Sequence, residues 1–127
     1  MDKNLIGLLI IITLLTFSIG LSQEVEKANY KTTVNTFTSH YNKGNYQAIY
    51  NMFDANFKQV FTLDKVKTFF KEEINADALG KIEERTLNSI VRTGHNYTFT
   101  FENGTCTAFF LLDEANQIKG FQMYKKQ

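Results

Sequence analysis

HNYTFTFENGTCTAFFLL, residues His95–Leu112, is the stretch that decides the fold of this chain. Aromatic residues alternate with threonine across Tyr97–Phe101, and this period of two predicts a strand with one apolar face. Asn103-Gly104 follows directly. Both residue types tolerate a positive φ, so the dipeptide predicts a two-residue type I′ turn. Thr105–Leu112 is then the returning strand of a β-hairpin.

A two-residue loop at Asn103-Gly104 also predicts the register of the hairpin. The expected cross-strand pairs are Glu102 with Thr105, Phe101 with Cys106, Phe99 with Ala108, and Tyr97 with Phe110. The rings then share one face, which other elements must cover because exposed apolar area is unfavourable in water. The opposite face is predicted to carry four apolar side chains, those of Phe109, Leu111, Phe121 and Met123. Such a face favours a homodimer formed through the sheet.

The chain begins with an apolar segment of the secretory type. Leu5–Gly20 is continuously apolar, a lysine precedes it, and small residues stand just before Gln23. The run is slightly short for a membrane span, which takes roughly 20 apolar residues. We expect residues 1–22 to be a signal peptide and residues 23–127 to be one domain, exported to the periplasm or secreted. The alternative is an uncleaved anchor, which would be the protein's one contact with a membrane.

Charge and cysteine content argue against several classes of function, among them nucleic-acid binding and thiol chemistry. The formal net charge is +1 and the basic residues are scattered, so we predict no nucleic-acid partner. Cys106 is the only cysteine, so the domain depends on its core. The sequence has 12 Phe and 6 Tyr, and all of them except Phe17 lie after residue 22. Cys106 is expected to be a small buried residue rather than a reactive thiol. No metal-ligand spacing, phosphate loop or nucleophile motif occurs, so we predict no metal and no cofactor.

The N-terminal half has the period of helices and the C-terminal half that of strands. Four apolar residues fall at spacings of four, three and four, namely Tyr30, Val34, Phe37 and Tyr41. They predict a helix over Gln23–Lys43, and Asn45 and Thr62 are N-cap residues for two further helices. A long, bulged strand over Ile82–Arg92 precedes the hairpin, and Ile118–Tyr124 is the last strand. Helices followed by strands predict an α+β fold, with the helices packed on a four-stranded antiparallel meander.

The order of apolar and turn positions along the chain resembles that of the nuclear-transport-factor-two-like superfamily of cone-shaped α+β domains. It is more closely similar to an uncharacterised bacterial secreted group in that superfamily, whose members occur alone or ahead of serine hydrolases. The resemblance is carried by Phe37, Tyr41, Lys43–Tyr46, Ile49-Tyr50, Met52-Phe53, Phe57, Leu63–Phe70, Gly80–Ile82, Phe101–Thr105 and Leu112–Gly120. It implies a curved sheet wrapped around the first helix, with a pocket at the wide end of the cone. Superfamily members include isomerases, dehydratases, hydrolases and proteins that only bind.

An aromatic sheet face that meets tyrosines of the helices predicts an apolar pocket with a few polar groups. The predicted ligand-binding residues are Tyr41, Tyr50, Phe53, Tyr97, Phe99 and Phe110. We expect a non-catalytic module that binds a small apolar ligand or a protein partner. Aromatic stripes at helical spacing are also typical of an ordinary core, and a filled interior would favour a domain that works by pairing with a protein.

The alternative function is a small acid–base enzyme of the isomerase or dehydratase kind. It would use Asp54 or His40 together with tyrosines, because proton transfer needs an ionisable group in a dry pocket. Simpler interpretations exist for both residues: Asp54 suits local capping, and His40 suits a solvated helix position. His95 follows Gly94 and is expected in an exposed turn. No strand of the meander carries an acid on its aromatic face, so no catalytic residue is assigned.

Overall fold

Residues 24–126 are described by a computed structural model, in which helices precede a single sheet. The helices are α1 (Ala28–Asn42), α2 (Tyr46–Asn51), α3 (Ala55–Val60), α4 (Leu63–Thr68), a π-helical turn that continues α4 (Phe69–Glu73), and α5 (Ala76–Leu79). The strands are β1 (Ile82–Val91), β2 (Gly94–Phe101), β3 (Gly104–Leu112) and β4 (Ile118–Lys125), paired antiparallel in the order β1-β2-β3-β4. This order confirms the predicted α+β class and the four-stranded meander.

The predicted signal peptide, residues 1–22, lies outside the described residues. No helix in the described part of the chain has the length and apolar character that crossing a bilayer requires.

The helix starts follow from local capping, with one exception at the N-terminus. The side chain of Asn45 accepts a hydrogen bond from the backbone N–H of Ala48, and that of Thr62 accepts from Lys65, as predicted. α1, however, begins at Ala28 and not at Gln23, because Lys27 has extended backbone angles. The residues before Ala28 bond to the sheet instead of continuing the helix, as described below.

The hairpin register differs from the prediction. The observed pairs are Phe101 with Gly104, Phe99 with Cys106, Tyr97 with Ala108, and His95 with Phe110. The turn therefore consists of Glu102-Asn103, and neither residue has a positive φ, so the predicted type I′ turn at Asn103-Gly104 is wrong. The shift amounts to two residues, so each side chain keeps its predicted face.

Tertiary hydrogen bonds explain the shifted turn. The backbone N–H of Glu102 donates to the carbonyl of Lys81 at 3.0 Å, and that of Asn103 donates to Leu79 at 2.9 Å. The side chain of Asn103 also donates to the carbonyl of Ala78 at 3.1 Å. The turn is thus held by the connection between α5 and β1, and its own φ preference does not decide its position.

The core lies between α1 and the ring-bearing face of the sheet. Phe37 of α1 is fully buried, with its ring centroid 5.1 Å from that of Phe110 and 5.5 Å from that of Phe121. Cys106 is also fully buried, as predicted, and burial raises the pKa of its thiol to about 11. β1 contains two register shifts, which confirm the predicted bulged strand.

The outer face of the sheet is more polar than predicted. Phe121 pairs with Phe110, and Met123 pairs with Ala108. Because directly opposed residues project from the same face, Phe121 and Met123 belong to the core face, and their predicted place on the outer face is wrong. Phe109 does lie on the outer face. Threonine dominates there, at Thr86, Thr98, Thr100, Thr105 and Thr107. A homodimer through this face stays a prediction.

Candidate functional site

An apolar groove of about 570 Å³ lies between α3, the π-helical turn and β4. It is lined by Phe57, Val60, Phe61, Phe69, Phe121, Gln122, Met123 and Tyr124. Val60 is 64% exposed and Tyr124 is 57% exposed, so the groove opens to solvent along its length. No Asp, Glu, His, Lys or Arg side chain lines it, and its walls are mainly aromatic.

The groove exists because a helix, and not a further strand residue, follows the single backbone bridge from Phe53 to β4. The backbone N–H of Asp54 donates to the carbonyl of Ile118 at 2.9 Å, and the N–H of Ile118 donates to Met52 at 2.9 Å. A carboxylate oxygen of Asp54 then accepts from the N–H of Phe57 at 2.8 Å and caps α3. α3 then runs beside β4, and its Phe57 and Val60 side chains face Phe121 and Met123 of β4 across the groove.

Phe61 organises the wall of the groove. Its ring is stacked on Phe53 at 5.6 Å and on Phe121 at 6.3 Å, and it meets Phe69 edge-on at 5.8 Å. Stacked and edge-on pairs of this kind are favourable arrangements of aromatic rings. The wall is consequently preformed, which is typical of binding sites for apolar groups.

The six predicted ligand-binding residues lie in the interior and not along this groove. Phe53, Tyr97, Phe99 and Phe110 are fully buried, Tyr41 is 4% exposed, and Tyr50 is half-buried. The Tyr41 hydroxyl donates to the carbonyl of Gly80 at 3.0 Å, and burial raises the pKa of this tyrosine. Packing against α1 accounts for the aromatic character of these positions, and a ligand-binding role for them stays a prediction.

The groove residues carried a signal that the sequence interpretation did not use. Phe57, Val60 and Phe61 form an apolar cluster in and after α3, a helix of 6 residues. None of them is fully buried. A short segment with more apolar residues than it can bury indicates an accessible apolar surface.

The acid–base candidates occupy simple structural positions. Asp54 caps α3, and His40 is half-buried in the last turn of α1. Neither residue lines the groove. In residues 24–126, no group of three His, Cys, Asp or Glu side chains is arranged to hold a metal ion.

Residues 34–121 match the protein family described as "Protein of unknown function (DUF3887)". The chain belongs to this family. The DUF3887 match runs from within α1 into β4 and includes α3, the π-helical turn and Phe121, so most of the groove lies within the family's own domain. No curated protein and no solved structure matches the chain.

A second feature of this DUF3887 domain is a buried histidine that the sequence interpretation placed wrongly. His95 is fully buried in β2, and its ring is stacked on Tyr30 at 3.8 Å. Arg92 and Thr93 form the turn instead, with φ values of 50° and 71°, so the strand already begins at Gly94. His95 Nε2 accepts from the N–H of Lys27 at 3.2 Å, so the ring is neutral with its proton on Nδ1. Burial lowers the pKa of His95.

Glu26 joins the same region of the sheet just outside the DUF3887 match. One of its carboxylate oxygens accepts from the Tyr97 hydroxyl and from Arg85 Nη1, each at 2.6 Å. Burial by itself would raise the pKa of Glu26, but these two hydrogen bonds and the charge of Arg85 outweigh it and lower the pKa. Glu26 and the backbone of Lys27 thus fasten the residues before α1 to β1 and β2.

We expect the domain to lose stability as the pH falls from neutral. The pKa of His95 lies below its ordinary value of 6.5 in the folded state. The unfolded chain therefore binds more protons between the two values, and the free energy of unfolding falls as the pH drops through this window. Glu26 acts in the same direction below its ordinary value of 4.5. Urea unfolding at several pH values from about 7.5 down to about 2.5 measures both contributions.

A substitution isolates the contribution of His95 in this measurement. His95→Gln removes the titrating group, so the slope of stability between about pH 7 and 5 should flatten. An unchanged slope in the His95→Gln variant would contradict the assignment.

Proposed function

We propose that this DUF3887 domain is an exported, non-catalytic protein-interaction module that uses the apolar groove beside β4. The observation that carries the proposal is an open, aromatic-walled groove beside an interior already filled with side chains. A filled interior favours binding at the surface over enclosure of a small ligand. Export depends on the predicted signal peptide of residues 1–22.

The proposal includes membership in the nuclear-transport-factor-two-like superfamily. Its support is the order of helices before strands and the packing of α1 across the ring-bearing face of a four-stranded antiparallel sheet. Bulges such as those in β1 bend a strand, as a curved sheet requires. The superfamily contains both enzymes and binding proteins, so this membership leaves the function to be argued from the groove.

The acid–base alternative has weaker support. General acid–base catalysis requires an ionisable side chain within hydrogen-bond reach of the reacting atom. The lining of the groove offers no carboxylate and no imidazole, and Gln122 is its most polar side chain. Asp54 already accepts a hydrogen bond as the cap of α3. Binding therefore needs fewer assumptions than catalysis at this site.

An apolar fluorescent dye tests whether the groove binds. The full chain should enhance the fluorescence of anilinonaphthalene sulfonate, and Val60→Glu should weaken dye binding about tenfold because it sets a charge in an apolar contact. Val25→Glu is the matched control, since Val25 is 79% exposed and does not line the groove. Both variants should keep the native circular dichroism spectrum. Equal dye binding by the two variants would reject the groove as the binding site.

A further inference from the structure

The outer edge of β4 is free of backbone partners beyond Ile118 in the described chain. The N–H of Lys126 donates to the carbonyl of Thr105 at 3.1 Å, so this pair bonds β4 to β3. Backbone groups alternate in direction along an antiparallel strand. Gln122 and Tyr124 therefore bond to β3 as well. The N–H and C=O groups that point away from β3 are those of Phe121, Met123 and Lys125.

The chain already uses this edge once. Met52 and Asp54 bond to both backbone groups of Ile118, which forms a parallel bridge between Phe53 and Ile118. α3 then runs beside β4 with Phe57 next to Phe121, and none of its backbone groups bonds to the edge from Phe121 to Lys125. An added strand would pair with this part of the edge, in the groove.

The groove lies where the side chains of an added strand would project. Phe121 and Met123 belong to the core face of β4 and line the groove. Residues of a neighbouring strand project alternately to the two faces of a sheet. Every second side chain of that strand would therefore contact the aromatic wall around Phe57, Phe61 and Phe69.

The charges along the edge indicate the character of the occupant. β4 carries Lys119 and Lys125, Lys126 follows directly, and α3 carries Lys58. Neither of these two elements contains an acidic residue. Asp54 accepts its hydrogen bond at the start of α3, and Asp64 and Glu73 line the neighbouring pocket beyond Phe61 and Phe69. A segment that lies along β4 consequently meets more lysines than carboxylates, with Lys119 near one end and Lys125 and Lys126 at the other.

We propose that β4 binds an extended segment of a partner protein, which adds to the free edge as a fifth strand. Alternate apolar side chains of the segment enter the groove, and acidic residues flank them. Addition to an exposed edge obtains affinity from main-chain hydrogen bonds and specificity from the pockets for alternate side chains. This inference rests on the proposed function and names the class of partner.

The probe for this proposal is the fluorescein-labelled peptide EEVTITVEE, titrated into the full chain. Val60→Glu should weaken its binding about tenfold by disturbing the groove. Lys125→Pro should weaken it by a similar factor, because proline removes an N–H that faces the free edge and is tolerated at edge strands. Lys125→Gln removes the charge but keeps the N–H, and it should fall between Lys125→Pro and the parent chain. The peptide KKVTITVKK should bind about tenfold more weakly than the acidic one.

Amide hydrogen exchange reports the geometry of the complex. Without peptide, the amides of Phe121, Met123 and Lys125 should exchange rapidly, while those of Gln122 and Tyr124 are protected by β3. Saturating EEVTITVEE should protect the first three. Strand addition is overturned if EEVTITVEE does not bind, or if it binds while these three amides still exchange rapidly. It is also overturned if EEVTITVEE and KKVTITVKK bind with equal affinity. If these three amides are protected without peptide, the edge is already paired within the chain or with a second copy, and the proposal is overturned as well.

The dye experiment distinguishes failure of this inference from failure of the proposed function. If Val60→Glu loses dye binding and Val25→Glu keeps it, the groove binds apolar groups even where strand addition fails.

Discussion

Replacing Phe37 by alanine is expected to lower the free energy of unfolding by about 3–5 kcal/mol. Phe37 is fully buried, and its ring lies within 6.1 Å of the rings of Phe70, Phe99, Phe110 and Phe121. Alanine would remove apolar burial and leave a cavity that these rings fill only in part. Because a domain of this size has about 5–15 kcal/mol of stability in total, the loss should be visible as a large shift in the urea midpoint.

An exposed aromatic residue supplies the control for this cavity. Tyr124→Ala removes a similar ring that is 57% exposed, and surface substitutions usually change stability by less than about 0.5 kcal/mol. If Phe37→Ala cost no more than Tyr124→Ala, the interior would not be closely packed. The interior pocket predicted around Phe99 and Phe110 would then be a better candidate for the binding site than the groove.

Gly80→Ala is expected to have the second large effect. Gly80 has φ +86° and ψ −165°, a region that residues with a Cβ rarely adopt, which costs about 1–3 kcal/mol. An added Cβ would also lie 2.9 Å from the Cβ of Glu102 and 2.7 Å from its Oε1. Displacing Glu102 adds a further cost of about 1–3 kcal/mol. It also disturbs the 2.8 Å hydrogen bond from the N–H of Lys81 to Glu102 Oε1.

Gly44→Ala separates the two contributions. Gly44 also has a positive φ, of +66°, but an added Cβ would meet no atom within 4 Å. Its cost should be the left-handed backbone alone, about 1–2 kcal/mol. Thermal and urea unfolding of both variants should therefore rank Gly80→Ala as clearly the more destabilised. Equal losses would show that Glu102 moves aside freely and that the hairpin turn is not held by this contact.

Local features were the part of the fold that could be predicted. The caps at Asn45 and Thr62 depend on hydrogen bonds that span three residues, so nearby sequence is sufficient to identify them. The alternation across Tyr97–Phe101 likewise identified the buried face of β2, which the structure confirms. The predicted hairpin register was wrong because the partners of Glu102 and Asn103, Lys81 and Leu79, lie 21 and 24 residues earlier in the chain.

The candidate site shows the same division. The apolar periods that predicted a pocket identify the most strongly buried residues. Residues of this kind, such as Phe99 and Phe110, fill the interior. The groove depends on how α3 lies beside β4, which the bridge between Phe53 and Ile118 and the Asp54 cap decide. His95 is in phase with Tyr97 and Phe99, but the turn expected after Gly94 hid this signal. Its acceptor role appears only when Lys27 is brought to the sheet.

By itself, the sequence determined that helices precede strands, which residues face the core of β2 and β3, and where α2 and α4 begin. Period and capping depend on neighbours a few residues apart, so they can be read without coordinates. Only the tertiary structure decided the hairpin register, the hydrogen bond that His95 accepts, the network around Glu26 and the unpaired edge of β4. Each of these depends on hydrogen bonds or ring contacts between segments distant in the chain, whose geometry no local pattern encodes.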